Sequence, residues 1–179
     1  TDPTAASPVA DSVLAIKQSC VFKALAIRET GNSRMLTEEL TFSKSTAKSI
    51  VTKQPVNDQY RFNGITTLVD GLRGNGNYKT GKWIAFHNND MDVVIDLQRP
   101  TEISTVSLTT CVEKGDWIFD ARSFIVEVSD DGTNFTRLSA EEFPAMKESD
   151  PNGLHEHKST FNPTTARYVH VVASSEKSI

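Results

Sequence analysis

Cleaving a glycosidic bond takes two carboxyl groups flanking one sugar, and nucleophilic catalysis takes a nucleophile beside its base. The acidic pairs in this chain are Glu38-Glu39 and Glu141-Glu142. Consecutive residues on an extended backbone point to opposite faces, so neither pair converges on a ligand, and both read as solvated charge. His155-Glu156-His157 sets two imidazoles on one side of an extended segment, the beginning of a zinc site. No third ligand stands at a recognisable spacing, and Asp150-Pro151-Asn152-Gly153 just before marks a turn, so loop histidines are the expectation. Cys20 and Cys111 lack both CxxC spacing and neighbouring histidines, and each is expected to pack as a free thiol in a strand. No catalytic residue is assigned.

The elements that would position these residues read as β-structure. Thr1 to Ala10 is rich in Pro, Ala, Ser and Thr and reads as loop. Ser19 to Arg28 alternates with both faces fairly apolar, predicting a well-buried strand; Gly31-Asn32-Ser33 gives a turn, and Leu36 to Phe42 a second strand. A two-stranded hairpin cannot bury enough apolar surface by itself and needs partners. The polar, proline-interrupted stretch around Val51 to Gln59 is taken as a boundary, dividing a unit 1–55 from a larger domain 56–179. Strand signals then recur at Val93 to Leu97, Ile103 to Thr110, Phe124 to Ser129, Phe135 to Leu138 and Arg167 to Val172. Phe124, Val126 and Val128 share one face, and the following Asp130-Asp131-Gly132 is a hairpin signal because Gly accepts positive φ. Ile103 and the pair Val106/Leu108 differ in parity, which predicts a bulge near Thr105. Short strands without crossover helices imply an antiparallel sandwich or jelly roll.

The whole-chain figures narrow the partners. With 179 residues, 19 Lys+Arg against 23 Asp+Glu and a net charge of −4, the chain has no basic stripe for a phosphate backbone, so nucleic acid is not an expected partner. No apolar run approaches the roughly 20 residues of a membrane-spanning helix, and membrane insertion is not expected.

The order Leu68-Val69-Asp70-Gly71, Gly81-Lys82-Trp83-Ile84-Ala85-Phe86 and Val93-Val94-Ile95-Asp96-Leu97 resembles the opening of discoidin domains, the coagulation factor five/eight type C family. Phe124 to Phe135 is similar to that family's most regular hairpin, and Ala166-Arg167-Tyr168-Val169 to its late strand. Family-32 carbohydrate-binding modules share the fold. Asp116-Trp117-Ile118-Phe119, with Trp83-x-x-Phe86, resembles the discoidin-like C-terminal region of bacterial family-20 glycoside hydrolases (β-hexosaminidase, chitobiase), although Asp120-Ala121 stands where that region usually has a proline. Thr1-Asp2-Pro3-Thr4 and Cys20 to Ala26 resemble part of the chitobiase C-terminal β-domain. The expected fold class is therefore all-β: a discoidin-like antiparallel jelly-roll β-sandwich preceded by a partial Ig/fibronectin-like β-domain. The resemblance also implies a further C-terminal strand, so the chain is expected to be a fragment cut at both ends.

From the resemblance follow a function and its sites. The expected role is a non-catalytic, carbohydrate-binding accessory of a secreted, periplasmic or cell-surface β-N-acetylhexosaminidase, with hexosamine- or galactose-containing glycans and the parent catalytic domain as partners. The alternative is a structural domain that packs on the parent barrel without binding sugar. Sugar-binding loops of this fold lie at one end of the sandwich, which nominates Trp117, Asp116 and Lys114 in one loop and Arg73, Tyr78, His87 and Asn88 in others. Against this, Trp83 and Trp117 occupy positions that recur in the resembling region as framework, and core or interdomain packing is the expected role of each ahead of a sugar platform. Ile118-Phe119 is a conceivable lipid-directed spike, but no cluster of basic residues supports a membrane target. Structural Ca²⁺ is the one implied cofactor, held by Asp70 with the carbonyls of Leu68 and Leu72 and oxygen from Thr80, Asn75 or Asn77. The other reading of Asp70 is an Asx-turn. His170 and Tyr168 are read as structural.

Overall fold

The computed structural model describes residues 1–10 and 13–175. Its strands are β1 (Cys20–Ala24), β2 (Leu36–Leu40), β3 (Ser49–Thr52), β4 (Met91–Val112), β5 (Ala121–Ser129), β6 (Thr136–Glu142) and β7 (Gly153–Ser175). Among the described residues the helical elements are short 3-10 turns at Asp58–Tyr60, Gly64–Val69 and Lys114–Asp116. β1 and β2 form a separate hairpin, and the other strands form one antiparallel sheet in the order β3-β4-β7-β5-β6. The all-β, antiparallel expectation holds.

Two long strands organise the molecule. β4 and β7, of 22 and 23 residues, pair along most of their length, with register breaks between Asp96 and Thr101 and between Ile103 and Thr105. The second break is the bulge that the parity change at Ile103 predicts. At the first, Gln98 adopts φ 72° and its N–H donates to Asp96 Oδ1 at 2.7 Å, while Arg167 on β7 grips both Asp96 oxygens at 2.9 and 2.8 Å. The near half of the ribbon pairs with β3 on one side and β5 on the other. The far half, Thr105–Val112 with Gly153–Thr160, folds back as a second layer. Ser159 Oγ donates to Ser139 Oγ of β6 at 2.5 Å, Phe143 packs on His157 with ring centroids 4.4 Å apart, and Val106 and Leu108 line the same apolar cleft as Val93, Phe124 and Val171.

The period-two pattern decides which side chains enter that interlayer space. Phe124, Val126 and Val128 on β5 and Val169, Val171 and Ala173 on β7 are all buried, and they form one cluster with Val93, Leu97 and Ile103. The sheet is longer than the sequence suggests. Leu154 to Phe161 belongs to β7, and His155-Glu156-His157 is strand rather than loop: His157 and Ser159 face inward, Glu156 and Lys158 outward. Charged and histidine residues hid its alternation, because polar groups occupy the inward positions as well.

The division expected at residues 55 and 56 falls after β3, which is paired with β4 through Ile50↔Ile95 and Val51↔Val94. The β1/β2 hairpin forms where expected, but it is not well buried: Val21 is 58% exposed and Leu36 49%. Its partner is the segment after Asp70. A bridge joins Leu40 to Leu72, Thr41 N donates to Gly71 O at 2.8 Å and Arg73 N to Glu39 O at 2.9 Å, while Lys82 pairs with Glu38. Both cysteines are free, Cys20 in the hairpin and Cys111 buried in β4.

Phe124 is 0% exposed at the centre of the interlayer core. Truncating a fully buried aromatic costs about 3–5 kcal/mol through lost transfer energy and the cavity left behind. Phe124→Ala is expected to lose that much in urea unfolding; a loss under about 1 kcal/mol would show that the two layers are not packed around this ring.

Candidate functional site

Val112 ends β4, Ala121 begins β5 and Gly153 begins β7 opposite Val112, so the loops 113–120 and 143–152 emerge at the same end of the sandwich. Glu113 and Ile118 exchange backbone hydrogen bonds at 3.0 Å each, closing the loop base into a small hairpin. Within it Lys114–Asp116 makes a 3-10 turn that ends in Trp117, held at φ 59° with its N–H donating to Lys114 O at 3.1 Å. A bulky residue in the left-handed region is uncommon and costs free energy. Here it leaves the indole 73% exposed, with Phe119 edge-on at 6.0 Å.

The neighbouring loop clamps this turn. Lys114 Nζ donates to the carbonyls of Glu148 and Asp150, Lys114 N donates to Asn152 Oδ1 at 3.2 Å, and Asn152 Nδ2 donates to Glu113 Oε1 at 2.6 Å. Lys114 is therefore a strut between loops, not an open sugar contact. Ile118 and Phe119 are half-buried, so the exposed apolar tip of the loop is Trp117, not the Ile118-Phe119 pair.

The segment 70–83 is built from successive Asx-turns: Asp70 Oδ1 accepts from Leu72 N at 2.8 Å, Asn75 Oδ1 from Asn77 N at 3.0 Å, and Asn77 Oδ1 from Lys79 N at 3.0 Å. Trp83 is framework in this segment. Its Nε1 donates to Asn75 O at 2.9 Å, and the ring lies so close over Gly74 that a Cβ there would sit 2.4 Å from it. The turns carry Tyr78 to the other loop, where its hydroxyl donates to Asp116 Oδ2 at 2.5 Å; that bond pushes the phenol pKa above its ordinary value. Tyr60 meets Tyr78 edge-on at 5.7 Å, and Lys79 Nζ stands 5.1 Å over the Tyr78 ring.

Of the nominated sugar contacts, then, Trp117, Asp116 and Tyr78 come together. Arg73 is turned to Glu156 on the far half of β7, at 3.5 Å. His87 and Asn88 are exposed in the loop before β4, Asn88 at φ 61°, and no contact ties them to Trp117 among the described residues.

Sequence reasoning missed the anchor beneath the loop. Asp120 accepts from His155 Nδ1 at 2.5 Å, His157 Nε2 at 2.6 Å, Thr110 Oγ1 at 2.6 Å and Ala121 N at 2.8 Å. Burial alone would raise this carboxyl pKa. The hydrogen bonds from His157, Thr110 and His155 outweigh it and hold the group well below the carboxylate range. The two histidines are thus strand residues that grip Asp120, and among the described residues no cluster of three or more His, Cys, Asp or Glu side chains is arranged to hold a metal ion. The signal in the sequence was an acidic residue directly after Trp117-Ile118-Phe119, with two histidines of one parity on a later segment. His170 is likewise structural, buried between Asp92 at 2.7 Å and Glu127 at 2.9 Å.

Around Asp70 the oxygens nominated for calcium are hard donors, which suits that ion in kind. Burial raises the Asp70 carboxyl pKa, although the Leu72 N–H and the charge of Lys82 act to lower it. Thr80 Oγ1 donates to Asn77 O at 3.0 Å, which leaves its lone pairs available, whereas Asn75 and Asn77 spend their side-chain oxygens on the turns. Asp70 is the one carboxylate of the set.

The chain is thus a two-layer antiparallel β-sandwich with loops gathered at one end, one of which exposes an indole. The F5/8 type C domain profile matches residues 44–179, and the chain belongs to that family. Among curated proteins no sequence matches the chain. Solved structures similar to it include SpGH29, at 13% identity and TM-score 0.50, covering 75% of this chain and 25% of that one. Others are CpGH89CBM32-5 from Clostridium perfringens in complex with GalNAc-beta-1,3-galactose (18% identity, 70% of this chain and 82% of that one, TM-score 0.47) and a Streptococcus pneumoniae fucose-binding module (16%, 73% and 83%, TM-score 0.48).

Asp120 yields a test of the loop anchor. A carboxylate with a depressed folded pKa stabilises the fold above the unfolded value of about 3.9, and that contribution disappears as pH falls toward the folded pKa. Asp120→Asn is expected to cost about 1–3 kcal/mol at pH 7. The gap between variant and wild type should narrow in acid unfolding below about pH 4; a gap that stays constant to about pH 2 would mean that Asp120 is not held by these hydrogen bonds.

Proposed function

We propose that this F5/8 type C domain is a non-catalytic carbohydrate-binding module in which Trp117 is the sugar-stacking surface and Asp116, oriented by Tyr78, accepts from sugar hydroxyls. The observation that carries the reading is the exposed indole, 73% accessible although it sits on a turn clamped by Lys114 and Asn152. A solvent-facing aromatic on a rigid loop loses little entropy when it meets a pyranose face, which is an economical way to bind a flat, weakly polar surface. Placed beside a catalytic domain, such a module raises the local concentration of polymeric substrate. Our reading extends to a β-N-acetylhexosaminidase parent acting outside the cytoplasm on hexosamine- or galactose-containing glycans. No helix among the described residues is long and apolar enough to cross a membrane.

A glycan array probed with the folded chain tests this directly, with expected binding to hexosamine- or galactose-containing glycans. Trp117→Ala should weaken that binding at least about tenfold, about 1.4 kcal/mol, while the unfolding midpoint stays put because the indole is exposed. Silence on a well-folded sample would leave Trp117 as a packing anchor for a neighbouring domain, the structural alternative.

Calcium remains part of the proposal. Asp70, the carbonyls of Leu68 and Leu72, and Thr80 would hold it, and its charge would offset the desolvation of Asp70. Millimolar Ca²⁺ should then raise the thermal midpoint of the wild type and not of Asp70→Asn. Equal responses, or none in the wild type, would return Asp70 to its Asx-turn alone.

A further inference from the structure

Tyr60 lies outside every residue nominated for the site, yet it is continuous with it. The chain of contacts runs from the Tyr60 ring to Tyr78 at 5.7 Å, from the Tyr78 hydroxyl to Asp116 Oδ2 at 2.5 Å, and from Asp116 to its neighbour Trp117. Along this chain of contacts the Tyr78–Asp116 pair comes between Trp117 and Tyr60. Tyr78 is the least suited of the three rings to stack on a sugar. Lys79 Nζ stands over its ring, Tyr60 meets it edge-on with an interplanar angle of 67°, and its hydroxyl is committed to Asp116.

Tyr60 is set firmly enough to serve as a second platform. It closes the 3-10 turn Asp58–Tyr60, whose N-cap Asn57 accepts from Gln59 N at 2.9 Å and donates its own N–H to Ala85 O at 2.8 Å. Tyr60 is partly exposed, and Phe62, two residues on, is 48% exposed, so this segment offers apolar surface to solvent.

Resting on the glycan-binding reading above, we infer that the site takes a run of at least two consecutive sugar residues, with Trp117 and Tyr60 as separate stacking surfaces and the Tyr78–Asp116 pair between them. A lone terminal sugar would satisfy Trp117 and Asp116 and leave Tyr60 unused. Two aromatic surfaces separated by a polar pair match the alternation of a glycan chain, whose pyranose faces are apolar and whose ring edges carry hydroxyls. The ligand class is thus an oligosaccharide or the interior of a polysaccharide rather than a capping monosaccharide.

The test is isothermal titration of the folded chain with β-1,4-linked N-acetylglucosamine oligomers of one, two and four residues, and with the matching galactose series. Affinity is expected to rise at least about tenfold from monomer to tetramer. Tyr60→Ala should erase that increment while leaving monosaccharide affinity within about twofold, Tyr60→Phe should retain it, and Trp117→Ala should weaken every length. Binding that does not depend on length, or a length increment that survives Tyr60→Ala, overturns this inference while leaving the glycan reading intact. No binding at any length in either series overturns both. Because Tyr60→Phe keeps the ring, loss of the increment in that variant with an unchanged melting profile would also count against stacking.

Discussion

The pairing of β4 with β7 is the constraint on which the rest of the structure depends. Each strand contributes to both layers, so the fold at Gln98 and the bulge at Ser104 decide whether the far half of the ribbon reaches the sheet it must cover. Arg167 across the bend, bidentate on Asp96, is well placed to fix that angle, because a planar guanidinium matches a carboxylate in only a narrow range of orientations. With the ribbon folded, Phe124, Val126 and Val171 are sealed from water. Were it open, the same side chains would face solvent on one side of a single sheet.

The folded ribbon also carries the site. Because β4 ends and β7 begins at the same end of the far layer, its two histidines lie beneath the loop that β4 feeds into β5. His155 and His157 face the interior from alternate positions of β7 and close on Asp120 from one side, with Thr110 joining from β4. A carboxylate gripped in this way ties down the base of the Trp117 loop, and the Lys114 and Asn152 hydrogen bonds tie its tip to the adjacent loop. The indole is presented by backbone and side-chain restraints rather than by packing of the indole itself. Exposure and rigidity can coexist on these terms, and binding a weakly attractive ligand needs both.

Much of this was legible in the chain. Alternation at Phe124, Val126 and Val128, the Asp-Gly turn and the change of parity at Ile103 point to an antiparallel sandwich with a bulge, and the order of the Leu-Val-Asp-Gly, Lys-Trp-Ile and Phe-Ile-Val-Glu-Val segments points to its family. Less legible were β3, disguised by the polar residues that follow it, and the first half of β7, where His157 and Ser159 take inward positions that a hydrophobicity pattern reserves for apolar residues. Buried polar groups defeat pattern reading whenever their partners come from distant strands.

The same limit separates the two tryptophans. By sequence alone Trp83 and Trp117 both carried a framework reading, and only Trp117 was also nominated as a sugar contact. Local residue types determined the strands, the turns and the family, because alternation and turn chemistry act over a few neighbouring residues. Only the tertiary structure decided that Trp83 is spent on Gly74 and the Asn75 carbonyl while Trp117 faces solvent, and that Tyr60, Tyr78 and Asp116 adjoin one another. The Tyr78–Asp116 contact joins segments far apart in the chain, and it exists because a ribbon anchored by long-range pairing sets the Trp117 loop beside the 70–83 segment.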